Sequence, residues 1–298
     1  MTHTRHAVAI ATAILGRDPG PMTTVDSASH EVYLGADVVV KLIDAGRHTR
    51  MSREIALAPH LPAGLTAPLL DSGVHDAGDR ELRYACYARA PGTSPGMGMA
   101  ETDAATARAL AEQAVGGLRV LHAWRPSDEA AGILVEPLDH GGFTGREALL
   151  AEVDALAAAD REGAVARRLL DGVAAIAAGA PTSAAASVPV HADCHWGNWL
   201  ADGPKVTALL DFEWARLGEA ADDWFFLIRF SGPHRAAVLD VVAGVTAVAP
   251  DVLRAACEVR EAAYLVADLR AAREEGRAGG ERLAELEELV LERSWWRG

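Results

Sequence analysis

A stretch rich in proline and glycine at residues 89–98, Arg-Ala-Pro-Gly-Thr-Ser-Pro-Gly-Met-Gly, separates two regions whose sequence patterns differ. Proline has no amide hydrogen and glycine has no side chain to restrict its backbone, so such a stretch does not continue a helix or a strand. We therefore interpret it as a linker. It predicts an N-terminal lobe over residues 1–91 and a C-terminal lobe over residues 92–298.

The region before the linker, from about residue 22 onward, carries short runs with the composition of β-strands. Three strands are predicted, at residues 31–34, 37–43 and 82–88. A short helix fits residues 50–57, because Pro59 and Pro62 follow it and oppose its continuation. This pattern predicts a small sheet with one helix packed on it.

The region after the linker is dominated by apolar residues at helical spacing. Thr102 and Asp103 are placed to cap a first helix, and Thr144 with Glu147 resembles a capping box that opens a second. Further helices are expected at residues 161–179, 252–275 and 281–293. A short strand at 188–190 and a hairpin of 198–201 with 206–210 interrupt the helices.

The bulk properties fit a protein of one large core or two modest lobes, with 298 residues of which 50% are hydrophobic. There is no apolar run of bilayer-spanning length and the first residues lack a signal-peptide core, so we expect a cytoplasmic protein without a membrane partner. Cys86, Cys194 and Cys257 are an odd number spread far apart, which opposes a disulfide framework.

The negative charge lies mainly after the linker. Residues 1–92 hold 9 basic and 10 acidic residues, which leaves 19 and 32 for residues 93–298 and a net charge of −13 there. Such a surface repels phosphate backbones, so nucleic acid is not an expected partner. It slightly favours a cationic substrate, although solubility explains an acidic surface equally well.

Lysine is rare in this chain: Lys41 and Lys205 are the two lysines among 28 basic residues. Lys205 lies in a turn, where a solvated charge needs no explanation. Lys41 lies inside a strand-like run, Val-Val-Val-Lys-Leu-Ile, where a charge needs a reason. It is either an edge-strand lysine that reaches solvent or part of a site.

Three polar residues near the hairpin have the spacing of a magnesium-dependent transfer site. The hairpin would bring Asn198 and Asp211 together, with Asp193 in the loop just before it. Cys194, between His191 and His195, also permits a cysteine nucleophile or a zinc site. No positive cluster that would activate the thiol is evident, and the spacing matches no structural zinc template, so both are disfavoured.

Several motifs resemble those of the aminoglycoside phosphotransferase and choline kinase superfamily. Residues 191–198, His-Ala-Asp-Cys-His-Trp-Gly-Asn, resemble its catalytic loop, H-G-D-x-H-x-G-N, and residues 209–215 resemble its metal-binding segment. Residues 218–223 resemble the G-D-P-x-x-D that follows. Lys41, Arg53 and Glu54, the linker and residues 118–122 fall where the family has its nucleotide lysine, partner glutamate, hinge and first large-lobe helix, so the resemblance runs from about 22 to 225.

The resemblance implies a two-lobed protein-kinase-like α+β fold, with a small sheet-plus-helix lobe and a larger helical lobe. It implies an enzyme that uses Mg²⁺ and ATP or GTP to phosphorylate a hydroxyl of a small molecule. An antibiotic ranks first as the acceptor and a metabolic amino alcohol or sugar second. A catalytically degenerate binding protein is the alternative from another class. A P-loop kinase is excluded because the chain has no G-x-x-x-x-G-K-[ST] motif.

Roles follow from the matched positions. Asp193 would accept or orient the substrate hydroxyl proton, and Asn198 and Asp211 would hold Mg²⁺. Lys41, paired with Glu54, would contact the α- and β-phosphates, although Glu54 on a merely solvated helix face is the plainer alternative. The other nucleotide contacts implied are Ser27 and Ser29 at the phosphates, Val39 on the base, and the backbone around Tyr87 and Arg89.

Other residues of these motifs would support the site. His191 and Asp223 are expected to be structural, and Glu213 to be an auxiliary metal residue. His195, Trp196 and Trp214 are candidate substrate contacts, and residues 126–186 with the C-terminal helices would build the acceptor pocket. The chain departs from the family at residues 26–31, a phosphate loop without glycine in which His30 stands where asparagine is common.

Overall fold

The small lobe is an antiparallel sheet with one helix on each face. The computed structural model describes residues 2–25, 27, 29–46, 50–78, 80–138 and 142–296. Five strands in the order β1-β2-β3-β5-β4 form the sheet: β1 Thr23–Val25, β2 Glu31–Leu34, β3 Val38–Asp44, β4 Leu69–Asp76 and β5 Glu81–Ala88. Helix α1, Thr2–Leu15, covers one face and α2, Arg50–Leu57, lies on the other. The three predicted strands and the predicted helix α2 are confirmed.

Alternation along β3 decides which side chains face the cleft, because successive strand residues point to opposite faces. Val38, Val40 and Leu42 are buried against α1. Lys41 therefore points to the opposite face, toward α2 and the large lobe. Strand β3 is the central strand of the sheet, so Lys41 is not an edge-strand lysine that reaches solvent.

The large lobe is mostly helical. Its helices are α3 Ala104–Ala123, α4 Asp128–Leu134, α5 Arg146–Ala159, α6 Arg167–Ala178, α7 Ala220–Arg229, α8 Arg235–Thr246, α9 Pro250–Glu274 and α10 Gly280–Leu291. Strands β6 Val188–Val190 and β9 Arg216–Gly218 form one pair, and β7 Trp199–Asp202 and β8 Lys205–Leu209 form the predicted hairpin. Helix α9 packs against α5, α7 and α10 at the centre of the lobe.

The linker is tied to the large lobe by backbone hydrogen bonds. Thr93 and Ala201 exchange two N–H···O bonds of 2.9 Å each. Gly92 has φ +93°, and a Cβ there would lie 2.2 Å from the carbonyl oxygen of Ala201. The close approach of linker and hairpin therefore requires glycine at this position. The boundary between residues 91 and 92 stays a prediction.

Two predicted helix starts are wrong. Asp103 caps α3 as expected, but the Thr144 capping box is not formed, because the N-cap is Gly145 without a side-chain cap. The segment after α6 occupies this helix start instead, and Pro181 accepts the Arg146 N–H at 2.9 Å. Helix α6 begins at Arg167 and not at residue 161, because the Asp160 carboxylate holds the preceding loop through the Val165 N–H at 2.7 Å.

Within the described ranges, no single helix is long and apolar enough to cross a membrane, although the bent pair Gly232–Thr246 and Pro250–Glu274 would pass on length and composition.

Candidate active site

The catalytic-loop segment is held in place by Asp223, which is fully buried at the start of α7. Its carboxylate accepts hydrogen bonds from the Ala192 N–H at 2.8 Å, the His191 N–H at 3.1 Å and the His122 ring at 2.8 Å. Burial opposes the charge of Asp223, but these bonds and His122 hold its pKa below the ordinary value. Ala192 itself has φ +62°, so the loop is kept in a turn that alanine seldom adopts.

His191 joins the loop to the segment of residues 209–215. Its Nε2 donates to the Leu210 carbonyl at 2.8 Å, and its Nδ1 accepts the Asp193 N–H at 3.2 Å. Burial lowers the pKa of His191, so the neutral ring satisfies both bonds. This is the structural position predicted for His191.

Asp193 and Asn198 are adjacent. The Asn198 amide nitrogen donates to the backbone oxygen of Asp193 at 2.8 Å and to its carboxylate at 3.2 Å, so neither bond uses the amide oxygen of Asn198. The Asp193 side chain is 25% exposed. Burial and the nearby Asp211 raise the pKa of Asp193 well above its ordinary value.

Lys41 bridges the two lobes. Its ammonium lies 2.9 Å from both carboxylate oxygens of Glu54 on α2 and 3.0 Å from Asp211 Oδ1. Burial alone would lower the pKa of Lys41, but the two carboxylates raise it, and Lys41 in turn keeps the pKa of Asp211 low. Asp211 adopts φ +71°, which starts a single helical turn after β8.

A pocket of about 360 Å³ lies between the lobes next to this ion pair. Val39 and Lys41 line it from the small lobe, and Asn198, Leu210 and Asp211 line it from the large lobe. The predicted nucleotide residues Ser27, Glu54, Tyr87 and Arg89 line it as well. Ser29 does not; it borders a separate depression and its hydroxyl lies 2.8 Å from Nδ1 of His30.

A second pocket, of about 260 Å³, opens at Asp193 on the large-lobe side. Five aromatic residues line it: Phe143, Trp214, Phe225, Phe226 and Tyr264. Because Asp193 lines this pocket and its hydrogen-bond partner Asn198 lines the first, one carboxylate–amide contact separates the two pockets.

The charged groups of the second pocket are paired with one another. Arg260 donates to Asp222 at 2.6 Å and to Glu219, and Arg216 donates to Asp222 at 3.1 Å. Asp268 accepts from Arg282, outside the lining, at 2.9 Å. The carboxylates of Asp222 and Asp268 in this lining are therefore paired with arginines and offer little net negative charge to a substrate. The pocket lining does not support the expected slight preference for a cationic substrate.

The lining comes mainly from α7 and α9, so the expected contribution of residues 126–186 is small. Among the described residues of that range, Gly142 and Phe143 take part. Arg260, Tyr264 and Asp268 were missed by sequence reasoning, although their spacing of four residues on α9 places them on one helix face.

Trp214, a predicted substrate contact, lines this pocket, with the Arg50 guanidinium 4.5 Å from its ring centre. The substrate contact expected for Trp196 is not supported, because its ring is fully buried and its N–H donates to the Leu227 carbonyl and the Ser231 hydroxyl. His195 is not among the described lining of either pocket. Its Nδ1 accepts the Gly197 N–H at 3.1 Å, and its Nε2 is 3.7 Å from Asp193.

Glu213 lies beside Asp211 and is buried, at 4% exposure. Burial, together with the charge of Asp211, raises the pKa of Glu213 to about 7. Its Oε2 is 3.5 Å from Nε2 of His30. Oxygen atoms from Asn198, Asp211 and Glu213 are the hard donors that Mg²⁺ prefers, so the residues present fit this ion.

Comparison with known proteins agrees with this geometry. The model of the phosphotransferase enzyme family matches residues 24–256. The GDP complex of wild-type aminoglycoside 2'-phosphotransferase-IIIa shares 17% identity over 97% of both chains, with a TM-score of 0.71. The GDP and kanamycin complex of APH(2'')-IIia shares 16% identity over 97% of this chain and 98% of that chain, with a TM-score of 0.69.

A streptomycin-ATP-APH(2'')-IIa ternary complex aligns over 93% of this chain and 94% of that chain, with 14% identity and a TM-score of 0.63. At these identities the similarity establishes the fold. No curated protein matches the sequence. The chain belongs to the phosphotransferase enzyme family, as a small-molecule kinase with the two-lobed kinase-like fold.

Proposed function

We propose that the protein transfers the γ-phosphate of ATP or GTP to a hydroxyl group of a small molecule, with Mg²⁺ as cofactor. The observation that carries the proposal is the position of Asp193, at the junction of an interlobe pocket and an aromatic pocket. An antibiotic ranks first as the acceptor. Solved structures with this fold carry aminoglycosides in their complexes, which supports the ranking by likeness of fold alone.

The interlobe pocket would hold the nucleotide. Lys41 would contact the α- and β-phosphates while Glu54 keeps its ammonium in place. Val39 above and Leu200 and Leu210 below offer apolar surface for a flat base. The linker would pair with the edge of that base.

One backbone group at the end of β5, next to the linker, supports this base contact. The Ala88 N–H donates to the carbonyl of Pro68 at 2.9 Å, but proline has no N–H to return the bond. Ala88 lines the pocket, and its carbonyl is not paired with Pro68. An N–H group on the base edge would satisfy it.

The aromatic pocket would hold the acceptor, with its hydroxyl directed at Asp193. Asp193 would take up the hydroxyl proton as the acceptor oxygen bonds to the γ-phosphorus and the bond to the β–γ bridging oxygen breaks. Bound Mg²⁺ would supply charge neutralisation on the phosphates. Asn198 and Asp211 would hold it, and Lys41 would stabilise the nucleoside diphosphate that leaves.

The proposal is tested by an assay for ADP and GDP release against aminoglycosides, nucleoside and peptide antibiotics, macrolides and amino alcohols, with mass spectrometry of the products. We expect one class to gain a single phosphate, in a reaction that stops when EDTA removes the metal. Nucleotide binding without transfer to any compound of the panel would instead support a degenerate binding protein.

A further inference from the structure

Side chains from both lobes meet at one side of the interlobe pocket, where His30 and Asp211 are part of the lining. His30 lies in the phosphate loop between β1 and β2, while Asp211 and Glu213 follow β8. One ligand atom from each of the three lies within 4.8 Å of the others. The His30 and Glu213 side chains are 1% and 5% exposed and that of Asp211 is 26% exposed, so the imidazole and one carboxyl group are buried while the other is partly open to the cleft.

The ring of His30 is oriented by its neighbour. The Ser29 hydroxyl lies 2.8 Å from Nδ1 of His30, and a ring that donates this hydrogen bond keeps a lone pair on Nε2. Nε2 is the nitrogen that faces Glu213, at 3.5 Å. A hydrogen bond on the far nitrogen is the usual device that fixes a histidine as a metal ligand. It also gives Ser29 a role other than the expected phosphate contact.

The carboxyl groups around this space outnumber the nearby cations. Lys41 contacts Glu54 and Asp211, and Glu213 adds a third carboxyl group whose cationic neighbours are Arg50 and Lys41. Among the described residues, Oε2 of Glu213 accepts no hydrogen bond although Glu213 is buried. A buried carboxylate oxygen without a hydrogen bond, pointing at a histidine nitrogen and a second carboxylate, is placed to bind a cation.

We propose that His30 is a metal ligand of this protein: its Nε2, with one oxygen each from Asp211 and Glu213, binds a divalent cation. An imidazole nitrogen raises the affinity for transition-metal ions such as Mn²⁺ more than for Mg²⁺, which prefers oxygen. The proposal rests on the proposed function only in that Asp211 is a metal residue there. The added ligand, His30, comes from the small lobe. The bound metal would therefore also fix the position of the phosphate loop, which contains no glycine.

The test is pulsed electron paramagnetic resonance of Mn²⁺ added to the whole protein without nucleotide or acceptor. Protein labelled with ¹⁵N-histidine should show a ¹⁵N coupling to Mn²⁺. His30→Asn should remove that coupling and weaken Mn²⁺ binding at least about tenfold, with a smaller change for Mg²⁺. His75→Asn, on strand β4 and away from the cleft, is the matched control and should change neither.

The proposal is overturned by the absence of Mn²⁺ binding to the unmodified protein, or by Mn²⁺ that binds without histidine coupling. Either would leave His30 and Glu213 as a plain contact between the lobes. A coupling that persists in His30→Asn would also overturn it, since another histidine would then be the ligand. If His30→Asn does not fold, Ser29→Ala replaces it and should weaken the coupling. None of these outcomes involves phosphate transfer, so a failure of the proposed function is seen separately.

Discussion

Lys41 is the cation between Glu54 and Asp211 in the interlobe cleft, with three contacts of 2.9–3.0 Å to their carboxylates. Replacing it by methionine removes the cation and leaves two carboxylates facing each other, a change that costs about 3–5 kcal/mol for buried pairs. We expect Lys41→Met to lower the melting temperature and to raise the nucleotide KM more than about tenfold. Lys205→Met, at the exposed hairpin turn, is the control and should change neither quantity.

Asp193 has a pKa well above 3.8, because of burial and of Asp211. As the proposed base, Asp193 acts in the deprotonated form. The value of kcat/KM should therefore be at its maximum above the pKa of Asp193 and should decrease as the pH falls through that pKa. The acid limb of the pH profile should therefore lie well above pH 3.8. The measurement is the pH dependence of kcat/KM, which reports the pKa values of the free enzyme. An acid limb at or below pH 3.8 would contradict the role assigned to Asp193.

The linker is the element on which the spacing of the two lobes depends. Gly92→Ala would place a Cβ 2.2 Å from the Ala201 carbonyl at a φ of +93°, whereas Gly96, with φ +77°, has open space around it. We expect Gly96→Ala to cost about 1 kcal/mol from backbone strain alone, and Gly92→Ala clearly more. Denaturant unfolding of both variants measures the difference; equal losses would mean that the linker–hairpin contact is not tight.

The sequence predicted the positions of those helices and strands whose apolar residues recur at regular spacing. It also predicted that residues of one motif lie close together in the structure. Strand β3 and the hairpin follow from their β-branched runs and turn, and Asp193, Asn198 and Asp211 lie together as the motif implied. Strand β4 was missed because its sequence, Leu-Leu-Asp-Ser-Gly-Val-His-Asp, has four polar residues and a glycine and shows no alternation; none of its residues is buried. The acceptor-side residues of α9 were missed because they belong to no motif, and only the packing of α9 against α7 brings them to Asp193.

At the scale of the whole molecule, contacts between the two lobes include the linker, the contact of Lys41 with Asp211, and Arg53 on α2, whose guanidinium donates to the carbonyls of Ile133, Glu136 and Ala215. A nucleotide bound in the cleft would add contacts to both lobes at once. At a nucleotide concentration of 100 Kd we expect a stabilisation of about 2.7 kcal/mol and a single unfolding transition that moves to higher temperature. Calorimetry with and without nucleotide and Mg²⁺ measures this. A transition that splits into two would show that the lobes unfold independently.

The proposed role of Asp193 in phosphate transfer between the two pockets is tested by comparing transfer and nucleotide binding in Asp193→Asn. The substitution keeps the size of the side chain and removes its capacity to accept a proton. We expect a loss of transfer rate of roughly 10²–10⁴-fold toward any accepted substrate, with the nucleotide Kd and the melting temperature nearly unchanged. Undiminished turnover in Asp193→Asn would contradict this role.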